Sequence, residues 1–152
     1  MGLKILGTGS ALPSNMVTNE QLTKMVDTSD EWIASRTGIR QRHISTGETT
    51  TELCVRAARR ALENAGMQAE ELELIVVATL SGDRALPNTG CEVQRELNAV
   101  HATAFEINAA CSGFLFALNT VQAYMAAGLY RKALVIGCEV YVCENMDDRS
   151  AA

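Results

Sequence analysis

The sequence has 152 residues, of which 47% are hydrophobic and 20% are charged, with a formal net charge of -5. This composition is typical of a globular chain long enough for one core, and the negative charge gives no electrostatic footprint for nucleic acid. The longest apolar stretch, near Phe114 to Met125, is interrupted by Asn119 and Gln122, so no membrane span is expected. The five cysteines show no C-x-x-C spacing, which argues against a metal site or a disulfide framework and fits a reducing, cytoplasmic setting.

The first part of the chain predicts one strand followed by three helices. Leu3 to Gly9 is a short apolar run ending in glycine, as in a buried strand. Capping-box patterns at Thr18, Thr28 and Thr49 predict helices that end near Val26, at Gly38 and at Gly66. The third helix carries a stripe of small residues that we expect to pack closely on a sheet, namely Leu53, Ala57, Ala61 and Ala65.

The second part alternates strands and helices. Leu74 to Thr79 and Ala133 to Gly137 are apolar and rich in β-branched residues, which is typical of strands covered on both faces. Helices are predicted over about Gly90 to Leu97 and over Cys111 to Ala127, with a strand at Phe105 to Asn108 between them. The second of these helices is apolar on nearly all sides, which predicts a buried central helix. The alternation predicts an α/β fold with a mostly parallel sheet.

Cys111 is the candidate nucleophile. It lies where a strand runs through a tight turn into the long apolar helix, and a helix N-terminus favours the thiolate form. Its neighbours Ala109, Ala110, Ser112 and Gly113 are small, so a substrate carbonyl could approach the sulfur closely. The alternative for this residue is a buried structural cysteine.

Four stretches of the chain together resemble the N-terminal half of β-ketoacyl-acyl carrier protein synthase III, the ketosynthase that starts fatty-acid chains. The resemblance covers the whole chain, in order, and rests on Ile5 to Ser10 with Leu12-Pro13 and Thr18-Asn19, on Met25 to Ile33 with Arg36 to Arg40, on Ala109 to Phe114, and on Asp148-Arg149-Ser150. It implies a thiolase-like fold of two similar α/β halves. Residues 1–152 would be the first half-domain, truncated before its last strand, with the second half absent from this chain.

The resemblance also implies the reaction, a decarboxylative Claisen condensation of acyl-coenzyme A with malonyl-acyl carrier protein. Cys111 matches the residue that carries the acyl group. The catalytic His and Asn of the family lie in the second half, and neither His43 nor His101 lies in a matching motif. This chain alone is therefore expected to be incomplete as a catalyst. No cofactor is implied, because acyl-coenzyme A is a substrate.

The remaining site residues are likewise implied by the resemblance. Trp32, the only tryptophan, matches a residue that stacks on the adenine of coenzyme A, and the alternative is a core tryptophan. Arg36 and Arg149 match residues near the nucleotide and phosphates of coenzyme A, and Thr28 matches a residue at the entrance to the same binding site. Leu86 aligns with a position at which some members place an aromatic side chain across a dimer interface, so leucine would leave room for a longer or branched primer.

Three functions remain open from the sequence. The first is the initiating ketosynthase, expected as a cytoplasmic homodimer that works with acyl-coenzyme A, malonyl-acyl carrier protein and a C-terminal half that could be a separate chain. The second is a thiolase-fold acyltransferase that passes the acyl group from Cys111 to a hydroxyl or amine. The third is a non-catalytic fragment or subunit.

Overall fold

The computed structural model describes residues 2–140, which form two compact units. Residues 12–48 make up the hairpin unit, and residues 2–11 together with 49–140 make up the sheet unit. No helix among the described residues is both long enough and apolar enough to cross a membrane. Arg149, one of the predicted site residues, lies outside the described residues.

The hairpin unit contains two antiparallel strands and two short helices. Strand β1 (Asn15–Thr18) pairs with β2 (Gln41–Ile44), and between them lie helices α1 (Asn19–Leu22) and α2 (Asp30–Thr37). Helix α1 begins at the predicted capping box but ends before Val26, and β1 lies where no strand was predicted. The strand was missed because its partner is β2, which is distant in sequence: Met16 pairs with His43, 27 residues further along the chain.

A buried asparagine joins the elements of the hairpin unit. The Asn19 side chain donates to Asp30 Oδ1 at 2.8 Å and to the Ile39 carbonyl at 2.7 Å, and it accepts from Arg42 at 3.1 Å. Because the asparagine is fully buried, each of these bonds satisfies a group that water does not reach. Asn19 therefore fixes α2 against the strand that follows it.

The sheet unit is a three-layer α/β arrangement. Helix α3 (Thr50–Ala65), strand β3 (Leu74–Ala78), helix α4 (Thr89–Leu97), strand β4 (Thr103–Ile107), helix α5 (Gly113–Ala126) and strand β5 (Ala133–Gly137) follow one another in the chain. The strand order is β4-β3-β5 and both pairings are parallel. The predicted mostly parallel sheet is therefore confirmed.

Two apolar clusters cover the two faces of this sheet. Ile75 and Val77 face a cluster that includes residues of α3 and α4. Leu74, Val76 and Ala78 face the opposite cluster, with Ala117 and Val121 of α5. All five residues of β3 are buried, as expected for the central strand of a parallel sheet with helices on both faces.

The N-terminal residues do not form the predicted strand. Residues 2–10 have no regular secondary structure, and Leu3, Ile5 and Leu6 are exposed. They run along α3 instead, where a Cβ at Gly7 would lie 2.5 Å from the Ala61 carbonyl oxygen. A strand needs backbone hydrogen bonds to a neighbouring strand, and in the described part of the chain this run pairs with none.

The small residues of α3 therefore face the N-terminal run rather than the sheet. A Cβ at Gly9 would collide with backbone atoms of Ala57 and Ala61, and one at Gly7 with those of Ala61 and Ala65. Side chains on the neighbouring side of the helix, such as Ala58 and Leu62, enter the sheet cluster. The small residues of α3 do allow close packing, as predicted, but the segment packed against them is the one that contains Gly7 and Gly9.

A groove of about 580 Å³ lies beside β5 in the sheet unit. Residues 3–11 line one side and β5 lines another, with side chains of α3 and α5 between them. Within the described residues β5 pairs only with β3, so its other edge borders this groove.

Helix α5 is covered on one side only. Gly113, Ala117 and Val121, spaced one turn apart, are its buried residues. Phe114, Leu115 and Phe116 are exposed. The prediction that nearly all sides of this helix are buried is therefore wrong for the described chain, because the sheet covers a single face.

Candidate active site around Cys111

Cys111 is an exposed thiol on the turn between β4 and α5. The turn is a single 3-10 segment, Ala110–Ser112, and α5 begins at Gly113, two residues later than predicted. Within the described residues the thiol is exposed, unlike the buried structural cysteine of the alternative interpretation. The predicted strand–turn–helix setting is present, with Cys111 immediately before the helix rather than within it.

The backbone next to Cys111 is strained. Ala110 has a φ of 46°, in the left-handed region that residues with a Cβ rarely adopt. Two backbone bonds hold the turn: the Ser112 N–H donates to the Ala109 carbonyl at 3.1 Å, and the Gly113 N–H donates to the Ala110 carbonyl. Such strain is concentrated at functional sites, where it presents a side chain in a particular direction.

The start of α5 approaches the end of β3 very closely. A Cβ at Gly113 would lie 3.2 Å from the Ala78 Cβ, so the helix reaches this position only because residue 113 has no side chain. Ser112, at the N-cap, makes no side-chain capping bond. The N–H groups of the first turn of α5 thus have no side-chain cap, and they lie beside the thiol.

A carboxylate joins the ends of β3 and β5 at the same edge of the sheet. Glu139 accepts from the Leu80 N–H at 3.0 Å and from the Ser81 hydroxyl at 2.7 Å. The Ser81 oxygen in turn accepts from the Val140 N–H at 2.9 Å. Ligand sites of α/β proteins lie at this edge, beyond the carboxyl ends of parallel strands, and Glu139 fixes two of its loops.

The loop that carries Leu86 is anchored at both ends. Asp83 accepts from the Thr50 and Thr51 N–H groups, both at 2.9 Å, at the N-terminus of α3. Burial raises the pKa of Asp83, but the hydrogen bonds from Thr51 and Thr50 outweigh it and leave the pKa below its usual value. Leu86 itself is 83% exposed.

An ion pair between an exposed arginine and a buried glutamate anchors the same loop to α4. Glu92 is 3% exposed, and it accepts from Arg84 Nε at 3.1 Å and from the Thr51 hydroxyl at 2.9 Å. Close by, Glu106 of β4 accepts from the Thr89 N–H at the start of α4 at 2.9 Å. The loop of Leu86 is therefore bonded to the N-terminus of α3 through Asp83 and to α4 through Arg84.

Sequence reasoning missed these four carboxylates. Asp83, Glu92, Glu106 and Glu139 belong to no motif, and each acts on a partner distant in the chain, as Glu139 does on Leu80 and Ser81. The only available signal was sequence position, since Glu139 comes two residues after the predicted strand Ala133 to Gly137. Sequence spacing does not reveal which loop such a residue meets.

The hairpin unit brings Trp32 and Arg36 together. The Arg36 guanidinium carbon lies 4.6 Å from the centroid of the Trp32 ring, one turn away on α2. Trp32 is 39% exposed, so it is not the core residue of the alternative interpretation. Ser29 caps the helix by accepting from the Trp32 N–H at 3.0 Å.

Thr28 lies immediately before this cap. Its hydroxyl oxygen is buried and has no hydrogen-bond partner among the described residues. A buried hydroxyl without a partner costs free energy unless water or a ligand supplies one. Thr28 and Trp32 therefore lie at the start of α2, and Arg36 lies one turn further along, against the Trp32 ring.

The two histidines and the other possible metal ligands form no metal site in the described residues. His43 Nδ1 lies 2.7 Å from the Pro13 carbonyl, a contact inside the hairpin unit, and His101 is exposed. Within residues 2–140, no three His, Cys, Asp or Glu side chains are grouped so as to hold a metal ion.

Comparison with known proteins identifies what the chain is similar to. A family model for 3-oxoacyl-[acyl-carrier-protein] synthase III matches residues 105–152. A β-ketoacyl-[acyl-carrier-protein] synthase III of Clostridium acetobutylicum is 51% identical over 91% of this chain and 42% of its own length. That of Lactococcus lactis subsp. cremoris is 44% identical over 98% of this chain and 46% of its own length.

Solved structures show the same similarity. The crystal structure of 3-oxoacyl-[acyl-carrier-protein] synthase III from Aquifex aeolicus has a TM-score of 0.92 at 46% identity, covering 99% of this chain and 49% of that one. The priming β-ketosynthase of the R1128 polyketide pathway has a TM-score of 0.90 at 37% identity, covering 97% and 45%. The predicted thiolase-like α/β fold is thereby confirmed, and this chain spans less than half the length of these relatives.

Proposed function

We propose that this chain, which matches the β-ketoacyl-[acyl-carrier-protein] synthase III family in sequence and fold, supplies the acyl-accepting cysteine of an initiating ketosynthase. The observation that carries the proposal is the exposed Cys111 thiol on a strained turn directly before α5. The names of its relatives support the acyl carrier protein as the partner that brings the second substrate.

The first step is acyl transfer. The Cys111 thiolate attacks the carbonyl carbon of an acyl-coenzyme A, and the coenzyme A thiolate leaves as the acyl-enzyme forms. Exchange of one thioester for another costs little free energy, which suits a cysteine for the role. The backbone N–H of Cys111 would stabilise the developing oxyanion, and the uncapped first turn of α5 adds positive potential beside it.

The second step forms the carbon–carbon bond. Malonyl-acyl carrier protein loses carbon dioxide, and its carbanion attacks the acyl carbonyl and releases the Cys111 thiolate. The His and Asn expected to stabilise the enolate have no counterpart in the motifs of this chain. We therefore propose that the working enzyme is a cytoplasmic homodimer that includes a second half-domain.

The coenzyme A nucleotide is assigned to the hairpin unit. Trp32 offers an exposed aromatic face for adenine, and Arg36 beside it offers a guanidinium for phosphate. The Thr28 hydroxyl, which lacks a partner among the described residues, would bind the same ligand. Arg149 is proposed to contribute a second guanidinium, and Leu86 to set the size of the acyl pocket.

The test of Cys111 is acyl labelling of the protein that contains this chain. Radiolabelled acyl-coenzyme A should label Cys111, and Cys111→Ala should abolish labelling with little loss of stability because one small side chain replaces another. Cys91→Ala is the matched control and should label normally. Label on Cys54, Cys91, Cys138 or Cys143 instead would contradict the assignment.

An assay with the second substrate, malonyl-acyl carrier protein, distinguishes condensation from simple acyl transfer. Addition of malonyl-acyl carrier protein labelled in its free carboxyl should release labelled carbon dioxide in proportion to the condensation product. Transfer of the acyl group to a hydroxyl or amine without decarboxylation would favour the alternative acyltransferase. A protein that takes up no acyl group would favour the non-catalytic subunit.

Trp32 is tested through the KM for acyl-coenzyme A. Stacking of a base on an aromatic ring contributes ~1–3 kcal/mol, so Trp32→Ala should raise the KM by about tenfold or more. Trp32→Phe keeps an aromatic face for stacking, so its KM should lie between those of the unsubstituted protein and Trp32→Ala. An unchanged KM in Trp32→Ala, together with a large fall in thermal stability, would show that Trp32 has a packing role alone.

A further inference from the structure

Two cysteines outside the proposed mechanism are neighbours in the sheet unit. Cys54 lies on α3 and Cys138 directly follows β5. The Cys138 sulfur lies 3.8 Å from the carbonyl oxygen of Thr50, which is one helical turn before Cys54. Cys54 belongs to the apolar cluster between the sheet and α3, and Cys138 packs against the same cluster, so two cysteines 84 positions apart in sequence lie in one part of the fold.

The two thiols differ in accessibility. Cys54 is fully buried, whereas Cys138 is partly exposed, and both line the groove beside β5. A small reagent that enters the groove would therefore meet Cys138 first. Cys54 needs no access of its own, because its reaction partner would be the neighbouring sulfur.

Their environments also favour different protonation states. The hydrogen bond from Cys54 lowers the pKa of the Cys138 thiol, although burial and the nearby carboxylates of Glu139 and Asp83 oppose this. The same hydrogen bond and burial raise the pKa of Cys54. The more accessible cysteine is thus the better thiolate, and the buried one keeps its proton.

We propose that Cys54 and Cys138 form an oxidation site that closes to an intrachain disulfide when a low-molecular-weight disulfide is the oxidant. An exposed, thiolate-forming cysteine next to a second thiol is the arrangement of a thiol sensor with a resolving partner. The disulfide would join α3 to the residue before Glu139, which holds the loops at the carboxyl edge of the sheet.

The Cys54–Cys138 disulfide would form in two thiol–disulfide exchange steps. The Cys138 thiolate attacks one sulfur of the oxidant, the oxidant's S–S bond breaks, and one small thiolate leaves as a mixed disulfide forms on Cys138. Cys54 then loses its proton to solvent or to the departing thiolate and attacks the Cys138 sulfur, releasing the second small thiol. Two protein thiols are oxidised to one disulfide while the small disulfide is reduced to two thiols.

The experiment uses oxidised glutathione and the protein that contains this chain, with Cys111→Ala to remove the exposed nucleophile. After oxidation, free thiols are alkylated and the protein is digested without reductant by trypsin and a glutamyl endopeptidase. Cleavage after Glu139 separates Cys138 from Cys143. We expect a peptide pair linked through Cys54 and Cys138 that disappears on reduction, with both residues lost from the alkylated pool.

Variants test the order of events. Cys54→Ala should leave a stable glutathione adduct on Cys138, whereas Cys138→Ala should leave Cys54 as a free thiol and take up no glutathione there. Cys91→Ala is the matched control and should form the Cys54–Cys138 disulfide normally. If a Cys54 or Cys138 variant fails to fold, peptide mapping of the oxidised Cys111→Ala protein still shows whether the Cys54–Cys138 disulfide forms.

Three results would overturn the proposal. They are alkylation of Cys54 and Cys138 unchanged by oxidation, a persistent glutathione adduct on Cys138 while Cys54 is present, and a disulfide from Cys138 to Cys143 or to another chain.

Discussion

The sheet unit and the hairpin unit are stabilised in different ways. In the sheet unit a central strand is buried along its whole length between two apolar clusters. In the described part of the hairpin unit the buried apolar side chains are Leu22, Val26 and Ile33, and the polar side chain of Asn19 is also buried. A two-stranded hairpin of this kind has little independent stability, so its polar contacts carry more of the free energy of folding.

This difference matters for the proposed function because each unit carries one part of it. The thiol lies on a turn between a buried strand and a helix packed on the sheet, which suits a group that must be held in one orientation. Trp32 and Arg36 lie on a short helix whose position depends on hydrogen bonds to one side chain. Loss of core packing should therefore affect the whole protein, and loss of a polar contact should affect nucleotide binding first.

The largest expected effect is in the core of the sheet unit. Leu74 is fully buried in β3, so Leu74→Ala should lower the free energy of unfolding by about 2–5 kcal/mol through lost contacts and a residual cavity. Leu129→Ala, at a side chain that is 62% exposed, should change it by less than about 0.5 kcal/mol. Denaturant unfolding of both variants measures the difference, and equal effects would show that burial does not dominate this unit.

The next effect is at the polar centre of the hairpin unit. Asn19→Ala leaves the Ile39 carbonyl and the Asp30 and Arg42 side chains without their partner, which should cost about 1–3 kcal/mol. Denaturant unfolding measures this cost, and amide exchange of α2 should speed up more than that of β3. Asn119→Ala, at an exposed site of α5, is the control and should change neither. Faster exchange in β3 but not in α2 would contradict the assignment of Asn19 to the hairpin unit.

The smallest effect is a pH dependence of the hairpin unit. Backbone hydrogen bonds from Ser14 and Thr46 lower the pKa of Glu48 to about 2. Because the folded pKa is below the ordinary value of about 4.3, the stabilisation from Glu48 is complete above that pH and is lost as the pH falls towards 2. Asp83, whose pKa is also lowered, should act in the same direction in the sheet unit.

Carboxyl titration by NMR measures both groups directly. Glu48→Gln should reduce the fall in the free energy of unfolding of the hairpin unit between about pH 4 and 2. Asp83→Asn should have the same effect in the sheet unit. A Glu48 titration at its ordinary value would show that the hydrogen bonds from Ser14 and Thr46 do not form in solution.

Local signals in the sequence predicted much of the fold. The capping boxes at Thr18 and Thr49 and the left-handed glycines Gly38 and Gly66 lie where helices begin and end, because capping joins residues only three or four positions apart. The strand Ala133–Gly137 was predicted with its observed bounds, since a buried parallel strand is apolar throughout. The strand–turn–helix setting of Cys111 was likewise predicted from the residues around it, whereas its role as the nucleophile stays a prediction.

Contacts between distant residues were decided only by the tertiary structure. The apolar run from Leu3 reads as a strand, yet it lies along α3 because strand formation needs a neighbour that sequence periodicity does not reveal. The exposure of Phe114 depends on how many sides of α5 the sheet can cover. The contacts of Glu139 with Ser81 and of Cys138 with Thr50 join residues 58 and 88 positions apart, and only the folded arrangement of β3, β5 and α3 brings such pairs together.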